Sequence, residues 1–344
     1  MSHSTVPRSR TEAKTPEKTP AASGGAAGPR KERRPGKVSL RIRFRRDRVL
    51  LLMTLPAIAL ILLFNYVPIL GNVVGFQDYD PYISDNGAVA MLHSPWVALE
   101  NFQRVFADSA FWSALQNTLV LFVLQLVLFF PIPILLALLI NSVIRPRVRA
   151  FAQAVLYLPH FFSWVLVIAV FQQLFGGAGF LSQVLRQHGY DGLDFMTDPS
   201  TFKFLITAQS VWKDAGWGII VFLAALASVS PDLYEAAAMD GANRWRRMWH
   251  VTLPALRPVI ALLLVLRVGD ALTVGFEQIL LQRDAVGPGA AEVLDTFVWW
   301  NGVRNQDFGY AAAAGLVKGV VSLGLVLAAN KVAHLMGEQG VYKK

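Results

Sequence analysis

The chain has 344 residues, 54% of them apolar and only 16% charged, a balance that water-soluble domains rarely show and that points to a membrane location. The absence of cysteine excludes disulfide frameworks, thiolate zinc sites and thiol catalysis. The net charge of +9 is concentrated in the first fifty residues and two short loops, a pattern of membrane topology rather than of nucleic-acid binding.

Residues 1–48 are expected to form a disordered, basic cytosolic tail. Up to about residue 36 the chain is Pro, Gly, Ser, Thr and charge with almost no aliphatic content, so burial cannot offset the entropy of ordering it. Arg41, Arg43, Arg45, Arg46 and Arg48 then make a basic cluster suited to the anionic cytoplasmic leaflet. The apolar run beginning near Val49 is too long for the core of a secretory signal, so the tail is expected to stay on. Residues 49–338 read as the membrane domain, with spans near 49–74, 115–140, 151–175, 205–226, 259–281 and 310–333, followed by a cytosolic C-terminus at 339–344. The expected fold class is all-α, a polytopic membrane protein of about six transmembrane helices with a cytosolic loop of its own structure. Loops assigned inside carry Arg145, Arg147 and Arg149, then Arg244, Arg246, Arg247 and Arg257; those outside carry Arg104, then Arg186 with Lys203, then Arg283 with Arg304. This asymmetry puts both termini in the cytosol. Pro56, Pro68, Pro131 and Pro133 lie in or beside spans, where they are expected to kink helices and free carbonyls for other partners.

The inside loop 231–258 is too amphipathic to be a passive linker. Pro231 and Asp232 suit a helix start, Tyr234 to Met239 are mostly helix formers, and Gly241 allows a reversal. A second short helix is expected over Arg244–Trp249, broken by Pro254 and Pro258 before the fifth span. Aromatic and Met side chains beside Arg suit a docking surface. A helix pair lying on lipid headgroups has the same character.

Within this loop, Glu235-Ala236-Ala237, Asp240-Gly241-Ala242 and Thr252-Leu253-Pro254 resemble, at their spacing, the EAA loop of binding-protein-dependent ABC importer permeases. Leu99-Glu100-Asn101-Phe102, Asn117-Thr118, Tyr157-Leu158-Pro159, Trp212-Lys213 and Gly275-Phe276-Glu277-Gln278 resemble the carbohydrate branch, above all its oligosaccharide and lipo-oligosaccharide permeases. The resemblance runs from about Leu52 to the C-terminus. It implies a type I ABC importer permease fold in a bacterial cytoplasmic membrane. It also implies that the loop enters a cleft of an ATPase subunit, with Glu235, Ala236, Ala237, Asp240, Gly241, Leu253 and Pro254 at the coupling positions. The implied partners are a second, homologous permease, two ATPase subunits and an extracytoplasmic sugar-binding protein, besides membrane lipid. No cofactor is expected in this chain, which contains no GxxxxGK[ST] phosphate loop; ATP and Mg belong to the ATPase subunits.

For the substrate pathway the candidates are Trp212, Lys213 and Trp217 near an outer end of the fourth span, with Asp270, Glu277 and Gln278 along the fifth. A charge at mid-bilayer costs roughly 2.5 to 3.5 kcal/mol, so these side chains are expected to face a polar cavity or each other. Asp270 and Glu277, seven apart, would share a helical face and accept sugar hydroxyls while a Trp stacks on a pyranose ring. Alternatively, Arg267 pairs with Asp270, and Glu277 anchors the helix against Lys213 or the partner subunit. Lys318 is available to neutralise a carboxylate, Asn65 to bond between helices, and His160 to pack or line. Buried carboxylates also suit an ion-coupled secondary transporter, the alternative class. A membrane enzyme would need a convergent nucleophile, base or metal set, and none is spaced for it.

Overall fold

The computed structural model describes residues 48–335; apart from Arg48, the expected tail lies outside the described residues, as does 339–344. The described residues divide into two units, one ending at Phe64 and one beginning at Asn65. In the first, helix α1 (Arg48–Ile61) carries Pro56 and exposes large apolar side chains such as Leu52, Met53 and Leu55.

The second unit is built from α2 (Glu100–Ala107), α3 (Ser109–Leu124), α4 (Pro131–Ser142), α5 (Pro146–Tyr157), α6 (Trp164–Phe175) and α7 (Phe202–Ala227). These are followed by α8 (Pro231–Met239), α9 (Arg244–Arg247), α10 (Leu253–Gly269), α11 (Phe276–Leu280), α12 (Leu294–Trp299) and α13 (Phe308–Leu335). Among the described residues the one β-interaction is an isolated bridge between Gln77 and Trp96. Six stretches are long and apolar enough to cross a bilayer: Leu52–Phe76, Ser109–Ser142, Trp164–Gln187, Phe202–Ala227, Arg244–Gly269 and Phe308–Val332. The fold is thus all-α and polytopic.

Two spans differ in form from the sequence expectation. The third, expected as one run over 151–175, is interrupted between α5 and α6 by a 3-10 turn at Leu158–Phe161. Pro159 brings no amide donor to the turn, and Ser163 starts α6 afresh by accepting from the Leu166 N–H at 3.4 Å. The fifth, expected over 259–281, starts and stops earlier: a helical path runs over Arg244–Gly269, Asp270 caps it, and the chain turns at Gly275, whose φ is +55°. Asp270 and Glu277 therefore do not share a helical face, because the left-handed turn between them restarts the helix in another direction.

Three of the prolines act in one register. Pro68, Pro131 and Pro254 each follow a five-residue π turn, at Leu62–Tyr66, Gln125–Phe129 and Met248–Thr252. In each case the residue four before the proline, Phe64, Val127 or His250, is the middle of that turn. Proline has no N–H for that carbonyl and its ring crowds it, so the helix widens locally to i→i−5 pairing instead of ending. The Phe130 N–H accordingly donates to the Gln125 carbonyl at 3.0 Å. The expectation that Pro254 and Pro258 break the loop helix is corrected on the same ground: the helix passes through both.

Helix α7 is the spine of the unit. Its Ile219, Phe222, Leu223 and Leu226 pack with Ala137 and Ile140 of α4 and Leu256 of α10. At Gly216 the α5 backbone comes so close that a Cβ there would stand 1.8 Å from the Leu156 carbonyl oxygen. This is the close approach that small residues permit between membrane helices. A second cluster joins Phe111 of α3, Leu294 and Phe297 of α12, and Tyr310 of α13. Beside it, Arg104 pairs with Asp307 at 2.5 Å and lies over the Tyr310 ring, whose hydroxyl donates to Asp108.

Candidate functional site

The loop that follows α7 is a capped helical hairpin. Ser230 opens α8 by accepting from the Asp232 N–H at 3.3 Å, with Pro231 in the first turn, where a missing amide costs nothing. The close of α8 is a Schellman turn: the Ala242 N–H donates to the Ala237 carbonyl at 2.9 Å and the Gly241 N–H to that of Ala238 at 3.0 Å. Gly241, at φ +73°, supplies the left-handed residue the turn requires. Asn243 then caps α9 through the Arg246 N–H at 2.9 Å. Tyr234 on α8 bonds the buried Thr252 hydroxyl at 3.2 Å, tying the hairpin's first arm to the π turn of its second.

The structure places Glu235, Ala236, Asp240 and Gly241 in the open on this hairpin, with Ala237 half-buried. Leu253 and Pro254, also half-buried, sit where the hairpin becomes α10. Met239, at its tip, is 89% exposed, and Trp245 on the second arm is exposed as well. A groove of about 580 Å³ lies between the hairpin and the end of α4, lined by Asn141, Ser142, Tyr234, Arg244, Trp245 and Met248 among others.

The second site lies where the third span breaks. The Lys213 ammonium donates to the His160 carbonyl at 2.6 Å, stands 3.8 Å from Asp214, and faces the Trp164 ring at 5.5 Å. A carbonyl freed by the break thus takes a charged donor, as a backbone group away from water requires. The His160 ring nitrogen Nδ1 lies 2.9 Å from Asp214, and Trp217 stacks on the same ring with centroids 4.5 Å apart. Trp217 remains 50% exposed; Trp212 packs against Phe162 and Phe171 and is itself 40% exposed. These residues sit in the middle of α7, not near its outer end, because α7 starts at Phe202.

The remaining pathway candidates separate. Gln278 is buried, with its amide donating to Gln209 Oε1 at 2.7 Å and to the Ile206 carbonyl at 2.9 Å, while Gln282 and Gln209 exchange two bonds of 3.0 Å. It fastens α11 to α7. Asp270 and Glu277 are exposed. Arg267 turns to Gln125 and lies over Phe129 rather than pairing with Asp270. Lys318 pairs with Asp295, and a buried Arg283 with Glu292 at 2.5 Å while lying over the Trp300 ring. Lys318 does neutralise a carboxylate, although the sequence did not point to Asp295 as its partner; the Arg283–Glu292 pair and the link of His160 to Asp214 were not expected. For Lys318 and His160 the signal available was a polar group in an apolar run, and the partners, 23 and 54 positions away, gave none; Arg283 and Glu292 lie nine apart, with no regular helical spacing to pair them. Among the described residues no group of three His, Asp or Glu is disposed to hold a metal ion.

Six stretches able to cross a bilayer, a helix break held by polar side chains ahead of the third, and a structured hairpin between the fourth and fifth are the build of a transport protein of the permease class. Residues 129–333 match the binding-protein-dependent transport system inner membrane component family, and the chain belongs to it. It is 43% identical over 304 residues to the polygalacturonan/rhamnogalacturonan transport system permease protein YteP of Bacillus subtilis, a match covering 88% of this chain and 93% of that one. It is 38% identical to protein LplB of the same organism, over 87% and 92% of the two chains. In structure it is similar, with a TM-score of 0.79 and 37% identity, to a chain of the bacterial alginate ABC transporter in complex with an alginate pentasaccharide-bound periplasmic protein. That match covers 88% of this chain and 99% of the other. The chain is accordingly a transport permease and a component of a multi-subunit system, not itself a catalyst.

Proposed function

We propose that the chain is one of two homologous permeases that form the translocation path of an ABC importer for a sugar or oligosaccharide. A binding protein delivers the substrate from outside, and two ATPase subunits with bound ATP and Mg drive the cycle. Both termini lie in the cytosol of a bacterial cell, and the 231–252 hairpin docks on an ATPase subunit through Glu235, Ala236, Ala237, Asp240 and Gly241.

The observation that carries this reading is mechanical. The second arm of the exposed hairpin is continuous with α10 from Arg244 to Gly269. A helix of that length reaches about 39 Å. The Tyr234–Thr252 bond makes the two arms move together. Displacement of the hairpin when an ATPase dimer closes is thereby carried, past Leu253 and Pro254, to Arg267 and Asp270 at the far end. The result is a rigid-body switch between inward- and outward-open states.

In the path, the free face of Trp217 offers a platform for a sugar ring, and Asp214 and Asp270 accept its hydroxyls; Trp212, Lys213 and Gln278 hold these groups in place. Glu277 lies further out and meets the substrate on entry. The relatives named for polygalacturonan, rhamnogalacturonan and alginate make acidic oligosaccharides the first substrates to try. The test is ATP hydrolysis by the reconstituted complex with its binding protein, with and without oligogalacturonides or other oligosaccharides. Stimulation by one saccharide class, reduced by Trp217→Ala, is expected. Uptake driven by a proton gradient with no ATPase subunit present contradicts the reading and establishes the secondary-transporter alternative.

A further inference from the structure

From the hairpin end of the membrane, an apolar groove of about 610 Å³ runs between α10 and α13. Its floor is made of small side chains, Ala261 on α10 with Ala328 and Ala329 on α13, and its walls include Ile260 and Leu264. Arg257 stands at its hairpin end. Lys331, next to the lining residue Val332, is exposed at the same end of α13. Among the described residues neither cation has an acidic partner in an ion pair, whereas Arg104, Lys213, Arg283 and Lys318 all do.

We propose that this groove is a binding site for an anionic phospholipid of the cytoplasmic leaflet. The acyl chain would lie in the furrow and the phosphate between Arg257 and Lys331. The distance from Arg257 to Val268 along α10, about 16 Å, matches an extended chain reaching from the headgroup layer into the hydrocarbon. Charge complementarity selects the occupant. Two unneutralised cations at one end of an apolar channel suit a molecule that is anionic at one end and apolar over the rest. A helix of a homologous permease with the composition of α1, which has no acidic side chain, would leave both uncompensated. The inference rests on the proposed topology, which puts this end of the groove in the cytoplasmic leaflet.

The test is native mass spectrometry of the purified full-length chain with equal amounts of phosphatidylglycerol and phosphatidylcholine. The wild type is expected to retain phosphatidylglycerol about tenfold over phosphatidylcholine, and the double variant Arg257→Gln, Lys331→Gln to fall to near parity. Ala329→Leu, which narrows the furrow, is expected to lower retention of both lipids. The change Arg304→Gln, at the opposite face, should alter neither. If the double variant keeps the full preference at unchanged thermal stability, the proposal is overturned. It is equally overturned if Ala261→Cys, in a chain with no other cysteine, cross-links to the second permease in intact membranes. Lipid retention is read without any ATPase, so its failure leaves the importer reading standing, and loss of ATPase capture leaves the lipid site standing.

Discussion

Adding one methyl group at Gly216 is expected to loosen the whole membrane unit. The ideal Cβ would sit 1.8 Å from the Leu156 carbonyl oxygen and 2.5 Å from its carbon, both α5 backbone atoms that no rotamer change can move aside. Restoring ordinary contact requires α5 and α7 to separate by about 1.5 Å, and overpacking of this kind costs typically 1–3 kcal/mol. Separation also pulls the turn at Leu158–Phe161 away from Lys213, weakening its bond to the His160 carbonyl. Against this, Ala gains up to about 1 kcal/mol over Gly in helix propensity, so the net loss is of order 1–2 kcal/mol. Gly319 on α13 provides the control, since its Cβ would meet nothing within 4 Å and only the propensity gain remains. Membrane proteins often unfold irreversibly, so the assay is the half-life of the detergent-solubilised chain on heating, compared for the two variants side by side. Gly216→Ala should shorten it severalfold and Gly319→Ala leave it equal or longer. A Gly216→Ala chain as durable as the Gly319→Ala chain would refute the close approach of α5 and α7.

At Gly241 the constraint is the backbone rather than space, because φ is +73° and no atom lies near the Cβ position. Gly241→Asn should therefore retain ATPase capture in a pull-down nearly at the wild-type level, while Gly241→Val, whose branched side chain resists the left-handed region at a cost of about 1–2 kcal/mol or more, should lose most of it. Lys318→Met leaves Asp295 as an unpaired carboxylate; the pair is half-buried, so the loss should fall below the roughly 3–5 kcal/mol of a fully buried pair but still lower thermal stability measurably. Combining it with Asp295→Leu should restore most of that loss; a double variant as unstable as the single one would show that the pair has another role.

The spans were legible because an apolar run of bilayer length seldom arises except to cross a membrane, and the hairpin because its caps are local: Pro231, Gly241 and Asn243 each act within four residues of themselves. Of the prolines expected to kink helices, Pro68 and Pro131 follow a π turn centred four residues upstream while Pro56 and Pro133 lie in regular helix, and which outcome results depends on how the strained helix relaxes against its neighbours. The end of α10 was misread because Ala271, Leu272 and Val274 continue the apolar run; they are buried in a turn rather than in a helix. That single error put Asp270 and Glu277 on one face. The polar fastenings were out of reach for a different reason. Gln278 meets Gln209 and Arg267 meets Gln125 across wide separations in sequence, and no local pattern encodes such pairs.

The central claim, that the 231–252 hairpin is where an ATPase subunit engages this permease, can be tested by cross-linking, since the chain has no cysteine of its own. Met239→Cys places a thiol at the hairpin tip, and Leu92→Cys, on a side chain 79% exposed in the segment between the first two spans, places one at the other membrane face. In intact membranes, a bifunctional thiol reagent should join the ATPase subunit to the Met239→Cys chain and not to the Leu92→Cys chain, with a yield that changes on adding ATP. Cross-linking through Leu92→Cys, or none through Met239→Cys from a complex that still hydrolyses ATP, would contradict the claim.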